Sequence, residues 1–316
     1  MENKKRILVT GGAGFIGANL CRVLLDKDYH VICVDNFYSG QEENITSFLL
    51  NKNFEMVNQN INEQPFDFHV DLIINLACPA SPKFYQKDPI YTIDTNVLGV
   101  KNVLELAKKN NCVIFQASTS EVYGNSNVNP QIESYWGNVN PNGIRSCYDE
   151  GKRIAESLFM NYHRSYKTKI KIARFFNSYG PGMRSDDGRV ISNFIYQALN
   201  NKDITIYGDG TQTRSFCYIN DLIDGIIKFI EIDDKIIGPI NIGNPQEMEI
   251  LKIAEMIIEL TNSSSKIVHK ALPDDDPKCR CPDISLAKKI LYWEPKVNIK
   301  EGLIKTIEYF KNKIFN

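Results

Sequence analysis

The 316-residue chain has no apolar run of signal-peptide or membrane-spanning length, and Met1-Glu2-Asn3-Lys4-Lys5-Arg6 passes straight into an apolar, strand-like segment. This pattern predicts a cytoplasmic protein without a membrane partner. An excess of one charge is missing too: 37 Lys and Arg stand against 38 Asp and Glu, for a net charge of -1. With no basic stripe, nucleic acid is excluded as a partner, and an anionic ligand must be met by local groups. The eight cysteines (21, 33, 78, 112, 147, 217, 279 and 281) form no regular framework in a chain too large to need staples, so they read as reduced thiols. Cys279-x-Cys281 is the one close pair, and no further ligands stand at a spacing that would complete a metal site. No metal is expected. Internal repeats, low-complexity stretches and long linkers are absent as well.

Short apolar, β-branched runs alternate with helix-period segments. They fall at 6–10, 14–27 and 31–35, and again at 72–76, 88–109, 113–117, 146–166 and 170–175. Strand and helix repeated in this way predict an α/β fold, a doubly wound Rossmann-type parallel sheet covered on both faces. After Asn177 the glycines at 180, 182 and 188 and Pro181 mark loops, and shorter elements follow at 190–199, 204–207 and 215–229. Helical patterns at 250–260, 285–291 and 300–311, with an acidic, proline-flanked loop at 273–277, complete a smaller α/β substrate-binding lobe. The expected division is a cofactor domain at 1–176 with a returning segment at about 215–243, and a second lobe at 177–214 and 244–316.

Thr10-Gly11-Gly12-Ala13-Gly14-Phe15-Ile16-Gly17 follows a strand and opens a helix. Glycine permits the tight turn and a close backbone approach to a pyrophosphate, while the helix amino terminus offers unpaired N–H groups and positive partial charge. Asp35 closes the second strand, where a carboxylate accepts from an adenosine ribose and repels a 2′-phosphate. NAD is therefore expected rather than NADP, with Gly11, Gly14, Phe15, Ile16, Gly17, Asp35 and Asn36 as its contacts.

Tyr148 and Lys152 stand four residues apart. On a helix they share a face, so the cation favours the phenolate of a side chain that ordinarily ionises near ~10 and lets it act as a base. Alone, the spacing is weak evidence, since a Tyr and a Lys four apart on a helix are more often a packed ring beside a solvated charge. Thr119 lies just past the apolar strand ending at Ala117, at the edge where open α/β sheets bind ligands, and its hydroxyl can share a substrate oxygen with Tyr148.

The Gly-rich turn, the Thr after this strand and the Tyr/Lys pair together resemble the extended short-chain dehydrogenase/reductase family that acts on nucleotide sugars. Several words are similar to its UDP-glucuronate decarboxylase branch: Ala77-Cys78-Pro79-Ala80-Ser81-Pro82, Ser118-Thr119-Ser120-Glu121-Val122-Tyr123-Gly124, Tyr135-Trp136-Gly137 and Arg145-Ser146-Cys147-Tyr148-Asp149-Glu150-Gly151-Lys152-Arg153. Asp187-Gly188-Arg189-Val190, Thr213-Arg214-Ser215-Phe216 and Trp293-Glu294-Pro295-Lys296 extend the resemblance over essentially the whole chain. It implies NAD-dependent decarboxylation of UDP-glucuronate to UDP-xylose through a 4-ketone, with NAD regenerated. Thr119, Glu121, Tyr148, Lys152 and Arg280 would carry the chemistry, and Tyr148 and Lys152 would also contact NAD. Ser120, Asn177, Arg189, Tyr207, Arg214 and Arg280 would hold the nucleotide sugar. Glu121 would position or repel the substrate carboxylate, and Arg280 would hold it or help deliver a proton to carbon 5.

The nearest alternatives are a 4-epimerase, a 4,6-dehydratase and an oxidative decarboxylase that releases UDP-4-keto-pentose. Dehydratases carry Asp-Glu after the Thr, the Asp acting as the acid for water loss; here that position is Ser120. A non-catalytic NAD-binding protein is the alternative of a different class, and it could dispense with Tyr148 and Lys152. The helices at 88–109 and 146–166 resemble the pair that family members pack into a homodimeric four-helix bundle. Asp94 stands where relatives usually carry Lys, and Cys217, Cys279 and Cys281 replace other residues, which predicts a less positive carboxylate pocket.

Overall fold

The computed structural model describes residues 4–271 and 280–315; the acidic loop expected at 273–277 and Cys279 lie outside the described residues. In chain order the first half runs β1 (Arg6–Thr10), α1 (Phe15–Asp26), β2 (His30–Asp35), β3 (Phe54–Asn58), β4 (Leu72–Asn75), α2 (Pro82–Tyr85), α3 (Pro89–Asp94), α4 (Val100–Asn110), β5 (Val113–Thr119), α5 (Ser146–Tyr166) and β6 (Lys169–Phe175). It continues with β7 (Ser178–Tyr179), α6 (Val190–Leu199), β8 (Ile204–Tyr207), β9 (Thr213–Ser215), β10 (Cys217–Tyr218), α7 (Ile219–Glu231) and β11 (Ile240–Ile242). The last elements are β12 (Glu247–Glu249), α8 (Ile250–Thr261), β13 (Ile267–Lys270), α9 (Ser285–Leu291) and α10 (Ile299–Phe315).

Seven of the described strands form one parallel sheet in the order β11-β6-β5-β4-β1-β2-β3. Strands β1, β2 and β4 are near-continuous runs of Ile, Leu and Val because helices cover both faces and leave no wet side to alternate toward. The fold is the doubly wound α/β sheet expected from the alternation. Strand order reverses between β1 and β4, so the chain leaving β1 and the chain leaving β4 part in opposite directions. A crevice opens at their carboxyl ends, the place where such sheets take ligands.

The remaining strands make two-stranded ladders, β8 with β13, β9 with β12 and β7 with β10. They do not stand apart from the sheet. One apolar cluster runs from Ile7, Val9 and Phe115 in the sheet through Ile204 and Ile253 to Phe310 in α10. Trp293 lies in it with its indole N–H donating to the Asp221 carbonyl at 3.0 Å.

Three details differ from the sequence reading. Residues 88–109 are not one regular helix: Asp88 caps α3 by accepting from the Tyr91 N–H at 2.9 Å, and a π-type turn at Thr95–Gly99 precedes α4. Gly99 lets Ile61 pack on that turn, since a Cβ there would lie 2.6 Å from the Ile61 side chain. Thr119 is the last residue of β5 rather than a residue beyond it, and β3, β11 and β13 were not anticipated.

Candidate functional site

A cavity of about 610 Å³ opens at the carboxyl edge of the sheet, and every residue singled out from the sequence as a cofactor, substrate or catalytic contact lines it. At its base the β1–α1 turn is built as a phosphate cradle. Gly11 has φ +68°, and a Cβ there would meet the Ala77 backbone at 2.9 Å. Gly17 is tighter still, since a Cβ would stand 2.1 Å from the Gly11 carbonyl oxygen. Helix α1 begins at Gly14 without a side-chain cap or an acidic residue in its first turn, so its N–H groups remain open to an anion. Phe15 and Ile16 follow on the cavity wall.

Asp35 ends β2 beside this turn. Its Oδ2 accepts from the Ala13 N–H at 2.9 Å and its Oδ1 from the Phe37 N–H at 2.8 Å. Burial pushes its carboxyl up, while these backbone donors pull it back. Asn36 donates to the Tyr91 hydroxyl at 2.8 Å. The glycine cradle, the uncapped helix and a fixed carboxylate at the end of β2 suit a dinucleotide with a free 2′-hydroxyl, which fits NAD.

Across the crevice, α5 presents Tyr148 and Lys152 to the end of β5. Both are buried, and the Lys152 ammonium donates to the Ala117 carbonyl at 3.0 Å and sits 5.9 Å from the Tyr148 ring centroid. The sequence reading expected Lys152 to favour the phenolate. In the structure burial is the larger influence and pushes the Tyr148 phenol well above its ordinary range, with Cys78 adding to it. The Thr119 hydroxyl and the Arg189 charge pull the other way. Thr119 itself accepts from the Glu121 N–H at 3.3 Å, which closes the short turn after β5, and buried Ser120 follows it.

Glu121 is gripped by two guanidiniums. Arg280 donates through Nε and Nη2 at 3.2 and 3.0 Å, and Arg145 through Nη2 at 2.5 Å. Burial alone would raise this carboxyl, but the Arg280 and Arg145 charges outweigh it and hold it at about 2. Arg280 is also anchored by the Gly124 carbonyl at 2.6 Å. Asp149 lies 3.7 Å from the Arg145 Nε, and burial together with the Glu121 charge pushes it up to about 7. Arg145, Asp149 and Tyr85 were missed from the sequence. Arg145 and Asp149, four residues apart like Tyr148 and Lys152, carried a readable spacing signal; Tyr85 carried none.

On the far wall, Arg189 donates to the Ala80 carbonyl at 3.0 Å and pairs with Asp187 at 3.3 Å. Arg214 is buried and donates to the Thr213 carbonyl, Asn177 is half-buried, and Tyr207 is exposed at the rim. Asp94, Cys217 and Cys281 are not among the residues that line the cavity, and Cys279, on which the expected less positive pocket also rests, lies outside the described residues. Cys217 and Cys281 are buried.

A Gly-rich turn under a switch-point crevice, joined to a Tyr/Lys pair and a Thr at the neighbouring strand end, defines a dinucleotide-dependent enzyme acting at a substrate hydroxyl. The family model described as the NAD dependent epimerase/dehydratase family matches residues 7–243, and the chain belongs to that family. It is similar to UDP-glucuronic acid decarboxylase 5 of Arabidopsis thaliana, 49% identical over 314 residues, covering 99% of this chain and 91% of the plant protein. Similarity to UDP-glucuronic acid decarboxylase 1 of Xenopus tropicalis is 45% over 313 residues, 99% of this chain and 74% of the frog protein. Among solved structures, UDP-glucuronic acid 4-epimerase from Bacillus cereus in complex with UDP-glucuronic acid and NAD superposes with TM-score 0.88 at 32% identity, covering 98% of this chain and 99% of that one.

Proposed function

We propose that the protein is an NAD-dependent decarboxylase that converts UDP-glucuronate to UDP-xylose. The observation that carries this reading is the placement of Glu121, held by Arg145 and Arg280, in the lining of the same cavity as Tyr148 and Thr119. Gly11, Gly14, Gly17 and the α1 amino terminus would hold the pyrophosphate of NAD, and Asp35 and Asn36 its adenosine side. When bound there, NAD would supply a reversible hydride acceptor for carbon 4.

Tyr148 is the group placed to take the proton of the sugar 4-hydroxyl; burial holds its phenol up, so the step requires the Thr119 hydroxyl, which shares that oxygen, and the Lys152 charge on the same face of α5 to offset it. Oxidation leaves a ketone β to the carboxylate. Arg280 orients the carboxylate, and the fixed negative charge of Glu121 discourages it from remaining. As carbon dioxide leaves, the electron pair enters an enolate whose oxygen accepts hydrogen bonds from Tyr148 and Thr119. Carbon 5 takes a proton from water, and return of the hydride to carbon 4 and of the Tyr148 proton to its oxygen completes the cycle, one proton being consumed for each carbon dioxide released. Ser120 provides no acid for the water loss of a dehydratase. Asn177, Arg189, Tyr207 and Arg214 form the UDP end of the proposed substrate path, on the lobe at 177–214 and 244–316 against a cofactor domain at 1–176 and 215–243.

The proposal extends to assembly and location. Ile90, Ile93, Leu98 and Ile154 are exposed on α3, the π-type turn and α5, a pattern suited to a homodimer through these helices. No helix of the described residues is long and apolar enough to cross a membrane. The free thiols of the described cysteines suit a reducing cytoplasm.

Incubation with UDP-glucuronate, with and without added NAD, followed by mass spectrometry and NADH absorbance, tests the function. UDP-pentose without NADH accumulation is expected. A 4-epimer without loss of mass would assign the chain to epimerases, and NADH accumulating with a keto-pentose would assign it to oxidative decarboxylases. Tyr148→Phe is expected to lower kcat by roughly 100- to 10,000-fold while retaining NAD. Unchanged turnover in that variant would remove Tyr148 from the mechanism.

A further inference from the structure

Glu121 and Arg280 meet across 159 residues of sequence, so their approach depends on how the backbone under each is held. Glu121 stands in the short turn Ser120–Tyr123, and Arg280 in the chain leading into α9. One buried side chain ties these two segments together. Asn241, in the middle of β11, accepts at Oδ1 from the Tyr123 hydroxyl at 2.7 Å, and its Nδ2 donates to the Gln131 carbonyl at 2.9 Å and the Asp283 carbonyl at 3.1 Å. Gln131 in turn grips the residue after Arg280: its N–H donates to the Cys281 carbonyl and its Oε1 accepts from the Cys281 N–H, both at 2.8 Å. The path closes on itself, because the Arg280 Nη1 donates to the carbonyl of Gly124, the residue after Tyr123. Partners also fix which way the Asn241 amide points. Arg174 donates to the Tyr123 hydroxyl at 3.0 Å, so that hydroxyl gives its own proton to Asn241, and only the amide nitrogen can serve two carbonyls. A buried amide satisfied at both ends is costly to displace.

We infer that Asn241 is a positioning residue for the loss of carbon dioxide, setting the approach of Arg280 to Glu121 without touching substrate, and this rests on the decarboxylase reading above. Neither Asn241 nor Tyr123 is among the residues that line the cavity. Strand β11 is paired with β6 at the edge of the sheet, so the sheet is the rigid reference from which both segments are hung. In the proposed reaction Glu121 and Arg280 act on the carboxylate, whereas Tyr148 and Thr119 act on the 4-hydroxyl. Thr119 ends β5 and Tyr148 is carried by α5, and the Asn241 amide bonds to neither element. Its influence therefore falls on decarboxylation and leaves the oxidation at carbon 4 in place.

Asn241→Leu has a similar shape and removes all three bonds, while Tyr123→Phe keeps the ring and cuts only the tie to the Glu121 turn. With NAD-loaded protein and UDP-glucuronate, kcat is expected to fall by roughly 10- to 100-fold in Asn241→Leu and by less in Tyr123→Phe, the scale of loss when a reacting pair is misplaced by a fraction of its contact distance. Oxidation then outruns the loss of carbon dioxide, so NADH absorbance builds up on the protein during turnover. NAD affinity, and inhibition by UDP-xylose, which lacks the carboxylate, are expected to stay the same. A merely structural amide would loosen every ligand together and give no NADH signal. Unchanged turnover in a folded variant, a fall in turnover without NADH build-up, or parallel losses of NAD and UDP-xylose affinity would each overturn the assignment while leaving the decarboxylase intact. If Asn241→Leu does not fold, Tyr123→Phe decides by the same three readouts. Wild-type protein that leaves UDP-glucuronate unchanged would remove the decarboxylase reading and this role together, an outcome seen before any variant is made.

Discussion

At Asp149, burial and the neighbouring Glu121 charge act in the same direction and push the carboxyl up to about 7, while Arg145 offsets only part of the effect. An unfolded Asp ionises near ~4, so the folded chain binds this proton more tightly than the unfolded chain does. The contribution of Asp149 to stability is therefore present at low pH and is lost as pH rises through about 7. Asp149→Asn has nearly the same shape and no charge to bury. Its melting temperature relative to wild type is expected to be higher above about pH 7 than at about pH 5, in a calorimetric series. Glu121 has the opposite sign, stabilising above its unfolded value and losing that contribution as pH falls toward about 2, so it does not disturb this window. A pH-independent difference would mean that Asp149 ionises as an ordinary surface carboxylate. Such a balance was not legible in the sequence. The spacing of Tyr148 and Lys152 was readable, but whether burial or a cation governs the phenol depends on which chains close over it.

Among the elements, the β1–α1 turn shows how much a local pattern can carry. Glycines at 11, 14 and 17 after a strand announced both the turn and its ligand, because a close backbone approach leaves no choice of residue. Gly17→Ala places a methyl carbon only 2.1 Å from the Gly11 oxygen, so the turn must open. NAD affinity measured by calorimetry is expected to fall by at least about 10-fold, with the far-UV spectrum retained; unchanged affinity would take the turn out of the cofactor site. Strands β3 and β11 were illegible for the opposite reason. Phe54-Glu55-Met56-Val57-Asn58 lacks a β-branched run, and Ile240-Asn241-Ile242 is too short to show a period, so each is a strand only because a neighbour offers its backbone. The α3, α4 and α5 surface was legible as helix but ambiguous as interface, since intramolecular packing gives the same apolar spacing. Leu98 is half-exposed there, at 49%. Light scattering is expected to find a dimer that Leu98→Glu combined with Ile154→Glu converts to monomer; a wild-type monomer would remove the bundle proposal.

For the whole molecule, the apolar cluster that joins β1 and β5 to Ile204, Ile253 and Phe310 crosses the boundary between the proposed cofactor domain and lobe. A core shared in this way cannot lose one half while the other stays packed, because the side chains left behind would face water over a large apolar area. One cooperative transition is therefore expected on heating or in denaturant, despite a chain length at which domains often separate. Trp293 reports from inside the cluster, whereas Trp136 is 90% exposed, so a Trp136→Phe background isolates the buried signal. Its fluorescence change should coincide with the loss of helical circular dichroism. With NAD at the β1–α1 turn and UDP at the Arg189 and Arg214 wall, as proposed, each ligand should shift the same transition. At a thousand times its Kd, either ligand adds about 4 kcal/mol. Two separate transitions, with NAD moving one and UDP the other, would show that the cavity joins independent units rather than lying in one cooperative core.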